Sequence, residues 1–291
     1  MKILITGGSG LLGQFLNLEL SKVHNILTLY HSHPGNCENY DNLRIDISNC
    51  NSFVSIFKNF NPDIVVHTAA ISNPKSADEL PDDFVYTVNV TATRKLAELC
   101  SDFSAKLIFT STDLVYDGLT GKMLDENDKL NPLSLYAYTK LMGEEKIRKT
   151  FDNFIILRTA LMYGFGLNHS INHFMSVYKN LKEGNPVNLF YDQFRSPLAL
   201  HDAARMISKL IKLDIKGEVI NFGGRERVSR FKLGELLCEE IGCSKSFLKK
   251  ISMDAVNGFY KVKDVSLNVS KLREIGIEPK GIRESIKELL S

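Results

Sequence analysis

The chain lacks the features that mark several common classes of protein. No apolar run approaches the ~18 residues of a membrane-spanning helix. Neither charge dominates: 36 Lys and Arg against 34 Asp and Glu leave a formal net charge of +2. That balance gives no electrostatic reason to expect a nucleic-acid or anionic-membrane partner. The 5 cysteines, Cys37, Cys50, Cys100, Cys238 and Cys243, are odd in number and include no Cys-x-x-Cys pair. A disulfide framework and a zinc site are therefore not expected. There is no internal repeat, low-complexity tract or proline-rich linker. The N-terminus, MKILITGGSG, has one lysine and an apolar run that ends in glycines, too short for a secretory signal. A cytoplasmic protein is expected. Tryptophan is absent altogether. With 291 residues and 44% hydrophobic content, the chain can bury one large core or two smaller ones.

What the chain does have is alternation. KILIT (2–6), NILTLY (25–30), DIVVHTAA (63–70), AKLIFTST (105–112) and the start of NFIILRTALMYG are short apolar runs. Between them lie helical patterns: LLGQFLNLELSK, FVSIFKNF before Pro62, FVYTVNVTATRKLAELCSDF and LYAYTKLMGEEKIRKT. Strands that read as continuous apolar runs are buried on both faces, as in parallel sheets. Their alternation with helices predicts an α/β fold built on a doubly wound parallel sheet. After about residue 160 the alternation becomes irregular, with a strand in GEVINFGG (217–224) and helices in SRFKLGELLCEEIG and SIKELL. We expect a nucleotide-binding domain over 1–160 and a smaller α/β lobe over 161–291, some segments of which return to the first domain.

Immediately after the first strand, GGSGLLG places Gly7, Gly10 and Gly13 three apart at the opening of a helix. The first glycine permits a tight turn, the second lets backbone approach a pyrophosphate, and the third lets helix and strand pack closely. Phosphate is then held at the helix N-terminus. This predicts a dinucleotide site. A second pattern, Tyr-x-x-x-Lys, occurs twice, as Tyr136/Lys140 and Tyr178/Lys182. Residues four apart share a helix face, so spacing alone does not choose between the two.

The G-x-x-G-x-x-G spacing resembles the extended branch of the short-chain dehydrogenase/reductase superfamily. FTSTDLVYDG (109–118), LYAYTKLMGEE (135–145), ILRTALMYG (156–164), DQFRSPLAL (192–200) and VSLNVSKLREIGIEP (265–279) are similar, in order, to motifs of the dTDP-4-dehydrorhamnose reductase family. The resemblance implies a Rossmann fold and an NAD(P)H-dependent oxidoreductase that reduces a nucleotide-linked 4-keto-6-deoxy sugar in deoxysugar biosynthesis. It makes Thr112 the strand-end hydroxyl, Tyr136 the acid and Lys140 its partner, and assigns Tyr178/Lys182 to a surface helix. Chemically, hydride delivery to a ketone builds charge on its oxygen, which a phenol can protonate and a hydroxyl can hold. A nearby ammonium would lower the phenol's pKa from its ordinary value of about 10.

The resemblance also implies cofactor contacts at Gly7, Ser9, Gly10, Leu11, Leu12 and Gly13, at Asp46 and Ile47 on the adenine side, and at Ala69 and Ala70. Asn89 matches a frequent Asn of extended members, with either a structural or a relay role. After the second strand comes YHSHPG, without the Asp or Glu that usually selects NAD. His31, Ser32 and His33 offer hydrogen bonds to a 2′-phosphate, so NADPH is expected, with NADH open. No metal is expected. Extended members often dimerise through the helices that here start near Val90 and Tyr136, with Leu141 and Ile147 as candidate contacts. Leu114, Leu161, Arg195 and Leu198 depart from the family pattern near the sugar, and Arg195 is a candidate diphosphate ligand. Two other readings stay open: a nucleotide-sugar epimerase or dehydratase, and a cofactor-binding regulatory subunit like that of methionine adenosyltransferase.

Overall fold

The apolar runs pair into one parallel sheet of seven strands in the computed structural model, which describes residues 1–258 and 260–291. The strands are β1 (Lys2–Thr6), β2 (Asn25–Tyr30), β3 (Asp41–Arg44), β4 (Ile64–His67), β5 (Lys106–Thr112), β6 (Phe154–Thr159) and β7 (Glu218–Phe222). Their order is β7-β6-β5-β4-β1-β2-β3, and every pairing is parallel. The chain builds outward from β1 on one side, then crosses to β4 on the other. Such a reversal opens a crevice at the carboxyl ends of the strands, where ligands bind in this class of sheet.

Side-chain alternation in β1 shows why the sheet is covered on both faces. Ile3 and Ile5 pack toward α1 (Gly13–Leu20), through Leu16 and Leu20, and toward α6 (Leu200–Leu210), through Met206 and Ile207. Leu4 points the other way, toward Phe53 and Phe57 of α2 (Ser52–Phe60), Leu96 of α3 (Ala92–Asp102) and Ile147 of α4 (Leu135–Thr150). All three β1 side chains are fully buried, and each such burial is worth about 1.5–3 kcal/mol. A third core joins α5 (His173–Lys182), α7 (Arg230–Ile241) and α8 (Ile282–Leu290) with two parallel strands, Val187–Phe190 and Leu248–Ile251.

Several elements differ from the sequence reading. The strand β3 lies between NILTLY and the next helix, and its pattern is exposed and polar, so no apolar run announces it. Helix α2 ends at Phe60, as the sequence reading had it, and Asn61, just before Pro62, takes a left-handed conformation with φ 48°. The long helix before β5 is interrupted at Thr87–Thr91 by a π-helical turn. Strand β7, from the second half of the chain, joins β6 at the edge of the central sheet, a return of the kind that the sequence reading allowed for. Ile147 is fully buried and so not available to a partner, whereas Leu141 is half-buried and packs partly against the core. Tyr178 also packs inward, edge-to-face on Phe165 with centroids 4.7 Å apart.

One buried ion pair ties three central elements together. Arg158 on β6 and Glu144 on α4 are 1% and 0% exposed. Arg158 donates from Nε to Glu144 Oε1 at 3.2 Å and from Nη2 to Oε2 at 2.9 Å. The Ser111 hydroxyl on β5 donates to the same carboxylate at 2.6 Å, and Arg158 Nη1 donates to the Tyr116 hydroxyl and to the Glu126 carbonyl. Removing one partner strands the other charge in a dry interior. Glu144→Ala and Arg158→Ala should each cost about 3–5 kcal/mol in urea unfolding, and the double variant should cost less than their sum. Losses below about 1 kcal/mol, the range of an exposed pair, would show that the bridge does not hold the fold.

Candidate functional site

The glycine turn forms one wall of a cleft of about 500 Å³ at the carboxyl ends of β1, β2 and β4. Its glycines are required by what surrounds them. Gly7 has φ +69°, and a Cβ there would lie 2.7 Å from the Ala69 nitrogen. A Cβ on Gly13 would lie 2.1 Å from the Gly7 carbonyl oxygen, so α1 could not approach the turn. Gly8, which the spacing argument passed over, is held as tightly: its Cβ would collide with the Thr28 side chain at 1.7 Å. Gly10 instead is exposed and faces the cleft, with only the Gly7 carbonyl near a Cβ. No side chain caps the start of α1, and since the Gln14 and Phe15 N–H groups are taken by the Gly10 and Leu12 carbonyls, the N–H groups just ahead of them, at Leu11 to Gly13, are the ones left for an anion. This cradle fits a dinucleotide pyrophosphate.

The cleft also takes in Ser9, Leu11, Leu12, His31, Asp46, Ile47, Ala69, Ala70, Tyr136 and Lys140. Asp46 accepts a hydrogen bond from the Ser48 N–H at 2.9 Å, and the Ser48 bonds hold its carboxyl below the ordinary range. It is thus a turn residue that also faces the cleft. Ser32 is not in the cleft wall; its hydroxyl is 3.0 Å from His31 Nδ1. His33 stacks at 5.1 Å on His169 from a later loop. Although no arginine follows β2 in sequence, the sheet supplies one. Arg44, at the end of neighbouring β3, donates from Nε to the His31 carbonyl at 3.0 Å and is exposed.

Helix α4 carries Tyr136, Lys140 and Glu144 four apart on one face. Ser134 starts the helix by accepting a hydrogen bond from the Ala137 N–H at 3.2 Å. Thr112, the last residue of β5, lies beside the Tyr136 phenol and opposes the rise in its pKa; its hydroxyl donates to Asp113 Oδ1 at 3.4 Å and accepts from the Leu114 N–H at 3.2 Å. It therefore acts both as a turn cap and as the hydroxyl beside the phenol. The expected lowering of the Tyr136 pKa is not seen in the protein alone. Burial pushes it up to about 12, with Asp113 adding to the rise and only Thr112 opposing it. The Lys140 ammonium lies over the Phe109 ring, 4.1 Å from its centroid. Burial brings its pKa down to about 7, against the pull of Glu144.

Asn89 sits in the π-helical turn with its side chain fully engaged. Its Oδ1 accepts from the Ile71 N–H at 2.9 Å, and its Nδ2 donates to the Ile71 carbonyl and to Thr139 Oγ1 at 3.0 Å. Thr139 in turn donates to the Tyr136 carbonyl at 2.9 Å. The residue braces the cleft segment at Ile71 against α4.

A second cavity, of about 400 Å³, adjoins the cleft, and Tyr136 lines both. Thr112, Asp113, Arg195 and Arg230 are among its polar walls, and Leu114 and Leu161 lie among its apolar ones. Arg195 is neither a surface residue nor free for a diphosphate. It is 5% exposed, donates to the Phe194 carbonyl at 2.7 Å and the Val262 carbonyl at 3.1 Å, and has Nε 3.8 Å from Asp113 Oδ2. Burial raises the Asp113 pKa to about 6, opposed by Arg195 and Arg230, and Oδ2 accepts no hydrogen bond from the described residues. Arg230 donates from Nε to Gln193 at 2.9 Å; burial, then Arg195, brings it down to about 9. The sequence reading did not single out Arg230, because nothing near it in the chain marks it. The loop brought next to it by folding does.

The depressed Lys140 has a measurable consequence. The unfolded chain keeps a proton that the folded chain sheds between about pH 7 and 10.5, so this group makes stability rise with pH across that window. Lys140→Met should therefore make the cofactor-free protein more stable than the parent below pH 7, and the gap should close toward pH 10.5. Urea unfolding at pH 6, 8 and 10 checks this. A gap that is constant with pH would mean that the lysine is not held uncharged.

Known proteins carry the same architecture. The family described as RmlD substrate binding domain matches residues 1–291. Methionine adenosyltransferase 2 subunit beta of Xenopus tropicalis is 28% identical over 297 residues, covering 98% of this chain and 87% of that protein. The dTDP-4-dehydrorhamnose reductase of Mycobacterium tuberculosis is 28% identical over 257 residues, covering 86% of this chain and 79% of that protein. A crystal structure of dTDP-4-dehydrorhamnose reductase from Bacillus anthracis, in complex with NADP, matches with a TM-score of 0.84 at 24% identity over 99% of this chain and 98% of that one. That likeness speaks to the fold, and the family match spans every residue from 1 to 291: the chain belongs to the RmlD substrate binding domain family.

Proposed function

We propose that the protein is an NADPH-dependent reductase of a nucleotide-activated 4-keto-6-deoxy sugar, acting in deoxysugar biosynthesis as a cytoplasmic homodimer. The observation that carries this reading is the meeting of two cavities at one phenol. The larger has a pyrophosphate cradle, and the smaller has Thr112 and Tyr136 at its mouth. When bound in the larger cleft, the nicotinamide nucleotide supplies hydride. Every other part falls to side chains of this chain. Thr112 holds the ketone oxygen. Tyr136, kept protonated by its burial, gives that oxygen its proton. Lys140 lies one helical turn away and faces the cofactor side, where it can hold ribose hydroxyls. Asp113 offers an open acceptor to a sugar hydroxyl next to the ketone. Leu114 and Leu161 make the sugar wall aliphatic rather than aromatic.

The regulatory reading has one observation in its favour, the 28% identity to methionine adenosyltransferase 2 subunit beta. The assembled Thr112, Tyr136 and Lys140 set favours turnover instead. The dimer reading draws on Phe84, Tyr86 and Tyr138, which are 41%, 37% and 54% exposed on the helix before β5 and on α4. Light scattering should give twice the chain mass at micromolar concentration; a monomer throughout that range would exclude it.

NADPH oxidation against a panel of nucleotide-linked 4-keto sugars tests the activity. Tyr136→Phe should lower turnover at least 10²-fold, roughly the loss expected when a general acid is removed, with NADPH binding retained. Tyr138→Phe and Tyr178→Phe should leave turnover nearly intact. If Tyr178→Phe is the damaging change, Tyr136 is not the acid.

Cofactor choice follows from the end of β2. An Asp there would repel a 2′-phosphate; instead His31 lines the cleft, and the exposed Arg44 guanidinium is bonded to its carbonyl. NADPH should bind about tenfold tighter than NADH, about 1.4 kcal/mol. Arg44→Ala should erase most of the difference, and Ser32→Asp should reverse it. Fluorescence titration with both nucleotides reads this directly, and tighter NADH binding by the parent protein would defeat it.

A further inference from the structure

Helix α7 ends in a turn that brings two thiols together. Gly242 takes a left-handed conformation with φ +70°, and its N–H and that of Cys243 both donate to the Cys238 carbonyl. In this type of helix ending, the residue after the glycine folds back onto a residue of the last turn, and the pair usually makes an apolar contact. Here both members of that pair are cysteines, and their sulfurs are 2.8 Å apart. The other thiols have different surroundings. Cys37 is buried against Thr28 and Asn17, Cys100 is fully buried, and Cys50 is half-buried beside the Ile47 and Ser48 carbonyls.

We propose that Cys238 and Cys243 form a two-thiol redox site that reacts with a hydroperoxide and closes to a reversible disulfide. Burial and turn geometry divide the roles. Cys243 is half-buried and so meets the oxidant, while Cys238 is buried behind it. The Cys243 thiolate attacks one peroxide oxygen, the O–O bond breaks, and hydroxide or alkoxide leaves. Cys243 is now a sulfenic acid. Cys238 sulfur then attacks the Cys243 sulfur, and the sulfenic hydroxyl leaves with the Cys238 proton as water. The two thiols have lost two electrons and the peroxide has gained them. Burial, then the neighbouring Cys243, pushes the Cys238 thiol up to about 12, which keeps it protonated until the second step. Reaching a disulfide length of about 2.05 Å needs the sulfurs to move by less than an ångström. In a reducing compartment such a bond is transient and tracks the oxidant. Helix α7 also carries Arg230, Leu233 and Leu237 into the second cavity, so the site lies on an element that shapes the substrate space but apart from Tyr136 and Lys140.

The test uses the whole protein treated with a small excess of hydrogen peroxide, alkylated with iodoacetamide and digested for mass spectrometry. The expected result is a peptide spanning Cys238 and Cys243 that has lost the mass of two hydrogen atoms and takes no alkyl group. Dithiothreitol should restore both alkylation sites, and closure should precede any oxidation of Cys50. In Cys238→Ser, Cys243 should be trapped as a sulfenic acid by dimedone, because its partner is gone. Two results would overturn the proposal: both thiols alkylating fully while Cys50 is oxidised, or Cys243 passing to sulfinic acid in the parent protein without a disulfide. The parent protein carries the primary readout, so a folding defect in the serine variant does not blur the outcome.

Discussion

The end of the molecule where Thr112 and Tyr136 line one cavity is held by the buried bridge between Arg158 and Glu144. It joins β6 to α4, and through the Ser111 hydroxyl it also reaches β5. Thr112 is the residue after Ser111, and Lys140 and Tyr136 are one and two turns back from Glu144. The distance between a strand-end hydroxyl and a helix-borne phenol is therefore set by a charge pair one layer below them. A hydrophobic contact would be non-directional. Two parallel N–H···O bonds to a carboxylate fix register as well as separation. The Asn89–Thr139 contact performs the same service from the other side, tying α4 to the segment at Ile71.

Above that base the site separates its ionisable groups by environment. Burial pushes the Tyr136 phenol up and the Lys140 ammonium down, so in the protein alone both favour their uncharged forms. This is the state in which a phenol can hold a proton for a ketone oxygen. In the second cavity the balance differs. Arg195 and Arg230 face one carboxylate, Asp113, and Arg195 is already committed to backbone carbonyls. A polar wall of this kind, opposed by leucines, orients a polar ligand by few contacts within an otherwise apolar space.

Much of this was legible in the sequence, for reasons that can be named. Parallel strands buried on both faces announce themselves as apolar runs, and β1 and β2 coincide with theirs. A glycine turn announces itself because a side chain would collide there. Strand β3 was invisible because it is short, polar and at the edge, and with it went Arg44, which only the sheet brings to the end of β2. Spacing could not choose between Tyr136 and Tyr178, whereas packing distinguishes them: one lines both cavities, the other packs edge-to-face on Phe165. Glu144 had a weak signal, being the next residue on the Tyr136–Lys140 face. Arg230 had none, and Arg195 stood out only as a departure from the family pattern, since the partners that fix them come from distant parts of the chain.

A reductase of this build should pass hydride from the nucleotide in the larger cleft to a ketone carbon in the smaller cavity, where it stays. Incubation with NADPH carrying deuterium at the transferable position, followed by NMR of the sugar product, follows that atom directly. The expected product carries one deuterium at the carbon that was the 4-ketone, with one NADPH oxidised per sugar reduced. A changed sugar without deuterium and without net NADPH oxidation would mean that the cofactor is used and regenerated, which contradicts a reductase.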